Sequence, residues 1–451
     1  MNPQQADSPC MAPGTRESLH LLLGKYWGYS EFRPQQEAII RSVVSGHDTL
    51  AILTTGSGKS LCYQLPALYL GGLALVISPL LALMKDQVDA LNARGIFAAA
   101  WTGQLDRDGR GRIESEMRTG RLRILFVSPE KCMQPGFLEF IRTFPVKLVA
   151  IDEAHCISEW GHDFRPEYRE LSRLRKIFPT APVIALTATA IPEVRKDISR
   201  QLGLVRPREF VGSFNRANLE YRVIKKKTPK VQLADICCRH KNESGIVYCL
   251  SKKETEECAS DLKKRGFAAR AYHAGLSRPV REAVQDAFLK STTRIVCATV
   301  AFGMGIDKPD VRFVVHYDIP KSVESYYQET GRAGRDGKPA ECVLLFGRGD
   351  VVRVKWMLDH DNPGEKAARI SQRNLREMVR YCETNTCRKH FLLAYFGETP
   401  TGPACGTCDV CTAMTAGPKK RSPARRAPAK TGRNPADLAA VARRTCPIPS
   451  V

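Results

Sequence analysis

Short, uninterrupted apolar runs alternate with longer mixed stretches along most of the chain. Five lie in the first half: Thr49 to Leu53, Leu73 to Ile77, Ile124 to Val127, Leu148 to Ile151 and Val183 to Leu186. Runs of this length with no polar alternation predict strands buried on both faces, and the stretches between them are long enough for crossover helices. A second series follows Phe214: Gly245 to Cys249, Ala268 to Tyr272, Ile295 to Ala298, Phe313 to His316 and Cys342 to Phe346. The pattern predicts two α/β domains, each a parallel sheet covered by helices, with no close sequence repeat between them. Runs of the first series end in small or polar residues: Thr54-Thr55-Gly56, Ser78-Pro79, Ser128-Pro129, Asp152-Glu153 and Thr187-Ala188-Thr189. Ligands gather at the carboxyl ends of strands in such sheets, so these ends should meet in one crevice.

From Gly347 to Phe396 the period turns helical, as in Leu375, Met378, Val379 and Cys382, which marks a third, smaller unit. Beyond Met414 the chain becomes Ala, Pro, Lys and Arg, with nine basic residues against Asp437 alone. Too little apolar surface is left there to bury, so a disordered basic tail is expected. The expected organisation is a disordered stretch 1–15, α/β domains at 16–210 and 211–346, a helical unit at 347–414 and a tail at 415–451.

Composition narrows the class. At 451 residues, 43% apolar and 26% charged, the chain is an ordinary globular protein of several domains. Its 69 Lys and Arg exceed 47 Asp and Glu, a net charge of +22 that favours a polyanionic partner, most often nucleic acid. No run approaches 18 apolar residues and Met1 to Thr15 holds no apolar stretch, so an intracellular protein with no membrane partner is expected. Most of the 16 cysteines, such as Cys62, Cys249 and Cys297, sit in apolar segments as small buried hydrophobes.

Candidate chemistry sits at the strand ends. Thr54-Thr55-Gly56-Ser57-Gly58-Lys59-Ser60 follows a strand and opens a helix, the setting of a phosphate-binding loop, although Leu53 stands where the strict motif has Gly. Backbone N–H groups would cradle phosphates, Lys59 would reach the β- and γ-phosphates, and Ser60 would hold Mg²⁺. The adjacent carboxylates of Asp152 and Glu153 suit a metal ligand beside a base for the attacking water. Arg332 and Arg335, in Gln328-Glu329-Thr330-Gly331-Arg332-Ala333-Gly334-Arg335-Asp336-Gly337, would complete the site if that segment faces the nucleotide. Trp160, His162, Phe164 and Arg165 follow the acidic box within one loop and suit base stacking and phosphate contact. Cys405, Cys408 and Cys411 are three thiols at metal-ligand spacing; Cys382, Cys387 and His390 compete for a fourth position.

Taken in order, these motifs resemble those of the RecQ family of DNA helicases, within helicase superfamily 2, from about Tyr26 to Cys411. The likeness also rests on Tyr29, Phe32-Arg33-Pro34 and Gln36, on Ser78-Pro79-Leu80 with Lys85-Asp86-Gln87, on Leu186-Thr187-Ala188-Thr189-Ala190, and on Ala301-Phe302-Gly303-Met304-Gly305. The resemblance implies two RecA-like domains and a zinc-binding helical subdomain. It implies adenine contacts from Tyr29, Arg33 and Gln36, and catalytic roles for Lys59, Asp152, Glu153, His155, Arg332 and Arg335, with Arg335 the better arginine finger. It also implies an aromatic-rich loop linking DNA to ATP hydrolysis, Cys387 as the fourth zinc ligand, and 3′ to 5′ translocation on single-stranded DNA with unwinding of duplex or branched DNA in repair and recombination. ATP, Mg²⁺ and Zn²⁺ are the expected cofactors. Departures are Gln35 for a common Gly, Thr54 and Ala217 for Pro, and Asp307 for Asn, none of which removes a group with assigned chemistry. Winged-helix and further helical nucleic-acid-binding domains are not expected in this chain. A strand-annealing protein with an ATPase switch and an RNA helicase are the rival readings.

Overall fold

The computed structural model describes residues 16–415 apart from 104, 162, 304–306 and 361–363. The expected disordered N-terminus, His162, Met304 and Gly305, and the tail beyond Thr415 lie outside the described residues. Thirteen strands are found among those described: β1 (Thr49–Ile52), β2 (Leu73–Ile77), β3 (Ala98–Trp101), β4 (Ile124–Val127), β5 (Val146–Ile151), β6 (Val183–Thr187), β7 (Arg208–Val211), β8 (Leu219–Lys225), β9 (Ser244–Tyr248), β10 (Ala269–Tyr272), β11 (Ile295–Ala298), β12 (Val311–His316) and β13 (Ala340–Phe346). They form two sheets, in the orders β3-β4-β2-β5-β6-β1-β7 and β10-β11-β9-β12-β13-β8, and every pairing is parallel.

Uninterrupted apolar runs become central strands because both faces are covered. Every residue of β1, β2, β4 and β6 is buried. Successive residues feed opposite layers, as the pleat requires. Leu50 and Ile52 belong to the core layer that holds Ile113, Phe137 and Ile198, whereas Ala51 and Leu53 belong to the layer that holds Ile39, Tyr63 and Met84. The helices flanking the first sheet are thus held by alternate side chains of the same strands.

The helical unit contains Arg348–His360, Gly364–Glu383, Arg388–Tyr395 and Asp409–Thr415. It packs where the chain passes from one sheet to the other. Phe396 stacks on Phe214 with centroids 4.5 Å apart and planes at 7°. Arg195 Nη2 donates to Phe396 O at 2.6 Å, and Lys389 Nζ to Ala217 O at 2.8 Å. Among the described residues no helix is long and apolar enough to cross a membrane.

Candidate active site and metal centre

The phosphate loop leaves β1 and enters the helix Leu61–Tyr69 through Gly56 and Gly58, whose φ angles of 83° and 82° lie in the left-handed region that glycine adopts without steric cost. Ser57 Oγ donates to Thr54 O at 2.6 Å, and Lys59 Nζ to Leu53 O at 3.2 Å. Burial lowers the pKa of Lys59, against the pull of Glu153 and Asp152. Gln36 is buried against this loop: its Nε2 donates to Ser57 O at 3.0 Å and Gly58 O at 3.1 Å, and its Oε1 accepts from Arg33 N. Arg33 Nη1 donates to Gly56 O. Arg33 and Gln36 therefore brace the loop, while Tyr29, 53% exposed, lines the cleft beside them. Gln35 has φ 68°, a conformation that strains any side chain and explains why Gly suits the position; its Nε2 is tied to Val211 O at 2.9 Å.

The acidic pair continues β5. Asp152 N donates to Ile77 O at 2.9 Å, and Asp152 Oδ1 accepts from Glu153 N at 3.0 Å. Glu153 stands at φ 47°, ψ 45°, a strained backbone of the kind concentrated at functional sites. Burial, then the neighbouring Glu153, pushes the Asp152 carboxyl up, with Lys59 opposing. His155 Nδ1 lies 2.8 Å from Thr187 Oγ1 and 3.3 Å from Glu153 Oε2, so the acidic pair is linked to the end of β6. Burial disfavours the imidazolium, but Cys156 and Glu153 outweigh it and hold His155 well above its ordinary pKa.

The second sheet supplies the opposite wall. Arg332 and Arg335 line one cleft of about 600 Å³ with Lys59, Ser60, Asp152 and Glu153. Arg332 is buried, with Nη1 donating to Gly303 O. Arg335 lies against Gly56, where an added Cβ would be 3.5 Å from Arg335 Cγ. A Cβ on Gly331 would sit 2.2 Å from Thr55 Oγ1, so glycine is what lets the two walls approach. Arg216 laces them: Nη1 donates to Thr55 O and Gly331 O, and Nη2 to Ala333 O and Gly334 O. This residue was missed as a site member; its only signal was a lone Arg between the two strand series. Asp307, which stands where the family commonly has Asn, adds a contact in this corner: its Oδ1 pairs with Arg335 Nη1 at 2.8 Å.

The aromatic segment lies beyond the acidic box. Ser158 is buried and donates to Asp197 Oδ2 at 2.7 Å, fixing the backbone from which Trp160 projects at 37% exposure. Phe164 lies under Arg169 at 5.0 Å. Arg165 Nη1 approaches Pro79 O at 3.4 Å and Nη2 approaches Asp163 Oδ2 at 3.5 Å, joining the loop to the end of β2.

Outside the residues that line the cleft, the sulfurs of Cys387, Cys405, Cys408 and Cys411 all lie within 4.8 Å of one another. Sulfur separations of 3.9 Å (Cys405 to Cys411) and 3.4 Å (Cys408 to Cys411) bracket the roughly 3.8 Å edge of a tetrahedron with Zn–S bonds of about 2.3 Å. Cys405 Sγ accepts from Cys408 N at 3.4 Å, which helps hold its thiol below the ordinary pKa, and Cys387 Sγ accepts from Cys405 N at 3.3 Å. The donor set therefore fits zinc. Cys382 is instead in the apolar core, and His390 is outside the sulfur cluster. Arg388 beside Cys387 forks onto Asp409, and Asp409 Oδ2 accepts from Val223 N at 2.9 Å, so the cluster is anchored to β8.

Residues 33–198 match the DEAD/DEAH box helicase family, 229–337 the helicase conserved C-terminal domain and 348–412 the RecQ zinc-binding family. The chain is 47% identical over 390 residues to the ATP-dependent DNA helicase RecQ of Pasteurella multocida, covering 86% of this chain and 61% of that one. It is 45% identical over 406 residues to the protein of the same name from Haemophilus influenzae, covering 90% and 65%. It thus spans a little under two thirds of these relatives. Among solved structures it is similar to the DUF1998 helicase MrfA bound to DNA and AMPPNP (TM-score 0.62, 18% identity, 93% and 62% of the two chains) and to Saccharomyces cerevisiae Dbp5 bound to RNA and ADP BeF3 (0.60, 16%, 80% and 99%), a likeness of fold. With two RecA-like sheets, a shared cleft and a four-cysteine helical module in this order, the chain belongs to the RecQ family of superfamily 2.

Proposed function

We propose that the chain is a DNA-dependent ATPase that moves 3′ to 5′ along single-stranded DNA and unwinds duplex or branched DNA, serving repair and recombination. The observation that carries this reading is the cleft in which Arg332 and Arg335 of the second sheet face Lys59 and Glu153 of the first. In this reading the phosphate loop and Lys59 hold the triphosphate, and Tyr29, with Arg33 and Gln36 behind the loop, takes the adenine. Ser60 and Asp152 would hold Mg²⁺, which would neutralise phosphate charge and favour the ionised form of Asp152. Glu153 takes the proton of the attacking water, and His155 holds Glu153 in place through their 3.3 Å contact. Arg335, then Arg332, meets charge developing on the transferred phosphoryl group.

Closing and opening of the cleft would alternately tighten and relax the two walls joined by Arg216, Gly331 and Thr55, and a strand bound across both sheets would be drawn along. Trp160, His162, Phe164 and Arg165 form the DNA sensor in this scheme, while zinc on Cys387, Cys405, Cys408 and Cys411 is structural because four thiolates leave no open position. The test is strand displacement on forked and tailed DNA, with and without ATP, comparing wild type with Lys59→Ala. ATP-dependent displacement lost in the variant is expected. Equal activity in both would favour an annealing protein, and stronger ATPase stimulation by single-stranded RNA than by DNA would favour an RNA helicase.

A further inference from the structure

The helix Gly364–Glu383 has two sharply different faces. Ile370, Leu375, Met378, Tyr381 and Cys382 are buried. From residue 366 to residue 380 every exposed position is basic: Lys366, Arg369, Arg373, Arg376 and Arg380. Steps of three, four, three and four residues keep these side chains on one stripe, which at 1.5 Å per residue is about 21 Å long. The acids beside it are Glu365, 3.4 Å from Arg369, and Glu377, 2.9 Å from Arg380; in both pairs the arginine is exposed, so each is of small worth and a phosphate can displace it.

The stripe begins at the aromatic segment. Lys366 Nζ lies 2.5 Å from Glu159 Oε2, and Arg373, seven residues on, sits 5.9 Å from the Trp160 ring. A stacking platform therefore lies alongside the first half of a row of cations, the combination that tracks single-stranded nucleic acid without reading its bases.

We propose that Lys366, Arg369, Arg373, Arg376 and Arg380 form a phosphate track for single-stranded DNA, continuing outward from Trp160 onto the zinc-bearing module. The inference rests on the DNA-acting function proposed above and adds a binding surface to it. Single-strand phosphates are about as closely spaced as these cations, and the Trp160 ring beside them offers a stacking face that only an unpaired base can use. Lys366 and Arg373 touch the aromatic segment in the DNA-free protein, so DNA must exchange with those contacts when it engages the track.

The test is anisotropy of a labelled 20-nucleotide single strand between 50 and 200 mM salt, comparing wild type with the triple variant Arg369→Gln, Arg376→Gln and Arg380→Gln. All three positions are exposed and none touches Trp160; thermal melting verifies the fold. Three lost phosphate contacts at about 0.7 each should flatten the slope of log K against log salt by about 2, so the variant's deficit should grow roughly twentyfold from 200 to 50 mM salt. An unchanged slope, or a deficit confined to blunt duplex, overturns the track. Wild type that neither binds the strand nor shows DNA-stimulated ATPase activity overturns the function on which it rests instead.

Discussion

Arg335 Nη1 and Asp307 Oδ1 form a 2.8 Å ion pair at the edge of the nucleotide cleft, with the arginine side chain 13% exposed and the aspartate 87% exposed. Burial lowers the pKa of Arg335, and Arg332 lowers it further, so Asp307 supplies the counter-charge in a crowded cationic corner. A γ-phosphate drawing on Arg335 has to compete with that carboxylate. Asp307→Asn keeps the shape and removes the competing charge; with the arginine buried but the carboxylate open to solvent, the pairing is worth about 1 kcal/mol. The KM for ATP should fall about threefold to fivefold, checked by steady-state ATPase assays at saturating DNA. An unchanged or higher KM would show that Asp307 orients the guanidinium rather than restraining it.

Glu153→Gln separates binding from turnover. Asp152 keeps its carboxylate and the backbone contact to Ile77 O, so nucleotide binding should remain within a few-fold of wild type. Loss of a positioned base should reduce kcat by at least about 100-fold. Fluorescent-nucleotide binding alongside phosphate release measures both. Turnover within a few-fold of wild type would assign activation of the water to another group.

The central strands were legible because β1, β2, β4 and β6 are buried on both faces and leave unbroken apolar runs. Ala98–Trp101, Arg208–Val211 and Leu219–Lys225 were not read as strands. All three lie at sheet edges, where one side meets solvent and Arg208, Glu209 and Lys225 are exposed. The cleft residues were legible from their spacing after strands, since a parallel sheet brings its carboxyl ends together whatever the intervening helices contain. Arg216 and the Asp307 pair were not, because Arg216 reaches Thr55 of the first domain and Asp307 meets Arg335 from a distant segment of the second, contacts that no local pattern encodes. Likewise the basic stripe on Gly364–Glu383 has the same local pattern as ordinary surface charge, and only tertiary packing brings it to Trp160.

Freshly purified protein should contain one tightly held zinc per chain, and Cys408→Ser should lower that stoichiometry together with folded yield. Cys408 is fully buried and its N–H supports Cys405 Sγ, so the change removes a ligand and leaves the other thiols crowded. Structural zinc in small modules contributes on the order of 10–16 kcal/mol of apparent binding energy, far more than a single core contact. Elemental analysis and thermal melting check this. Wild type free of zinc after purification without chelators would remove the metal centre.

Trp160→Ala should uncouple hydrolysis from DNA without abolishing it. The indole borders no part of the nucleotide cleft, whose described walls are the phosphate loop, the acidic pair and the two arginines, so basal ATPase activity should persist. The backbone at Trp160 is held independently of its ring, through Trp160 N donating to Ser158 Oγ at 3.2 Å and Ser158 Oγ donating to Asp197. With 37% of the residue already exposed, truncation should shift the melting temperature little. What disappears is a stacking surface worth about 1–3 kcal/mol per base, so the DNA concentration for half-maximal ATPase stimulation should rise about fivefold or more, and maximal stimulation should fall. ATPase titration with a single-stranded oligonucleotide measures both effects. A large fall in melting temperature would make Trp160 a packing residue, and full stimulation at unchanged DNA concentration would place the sensor elsewhere.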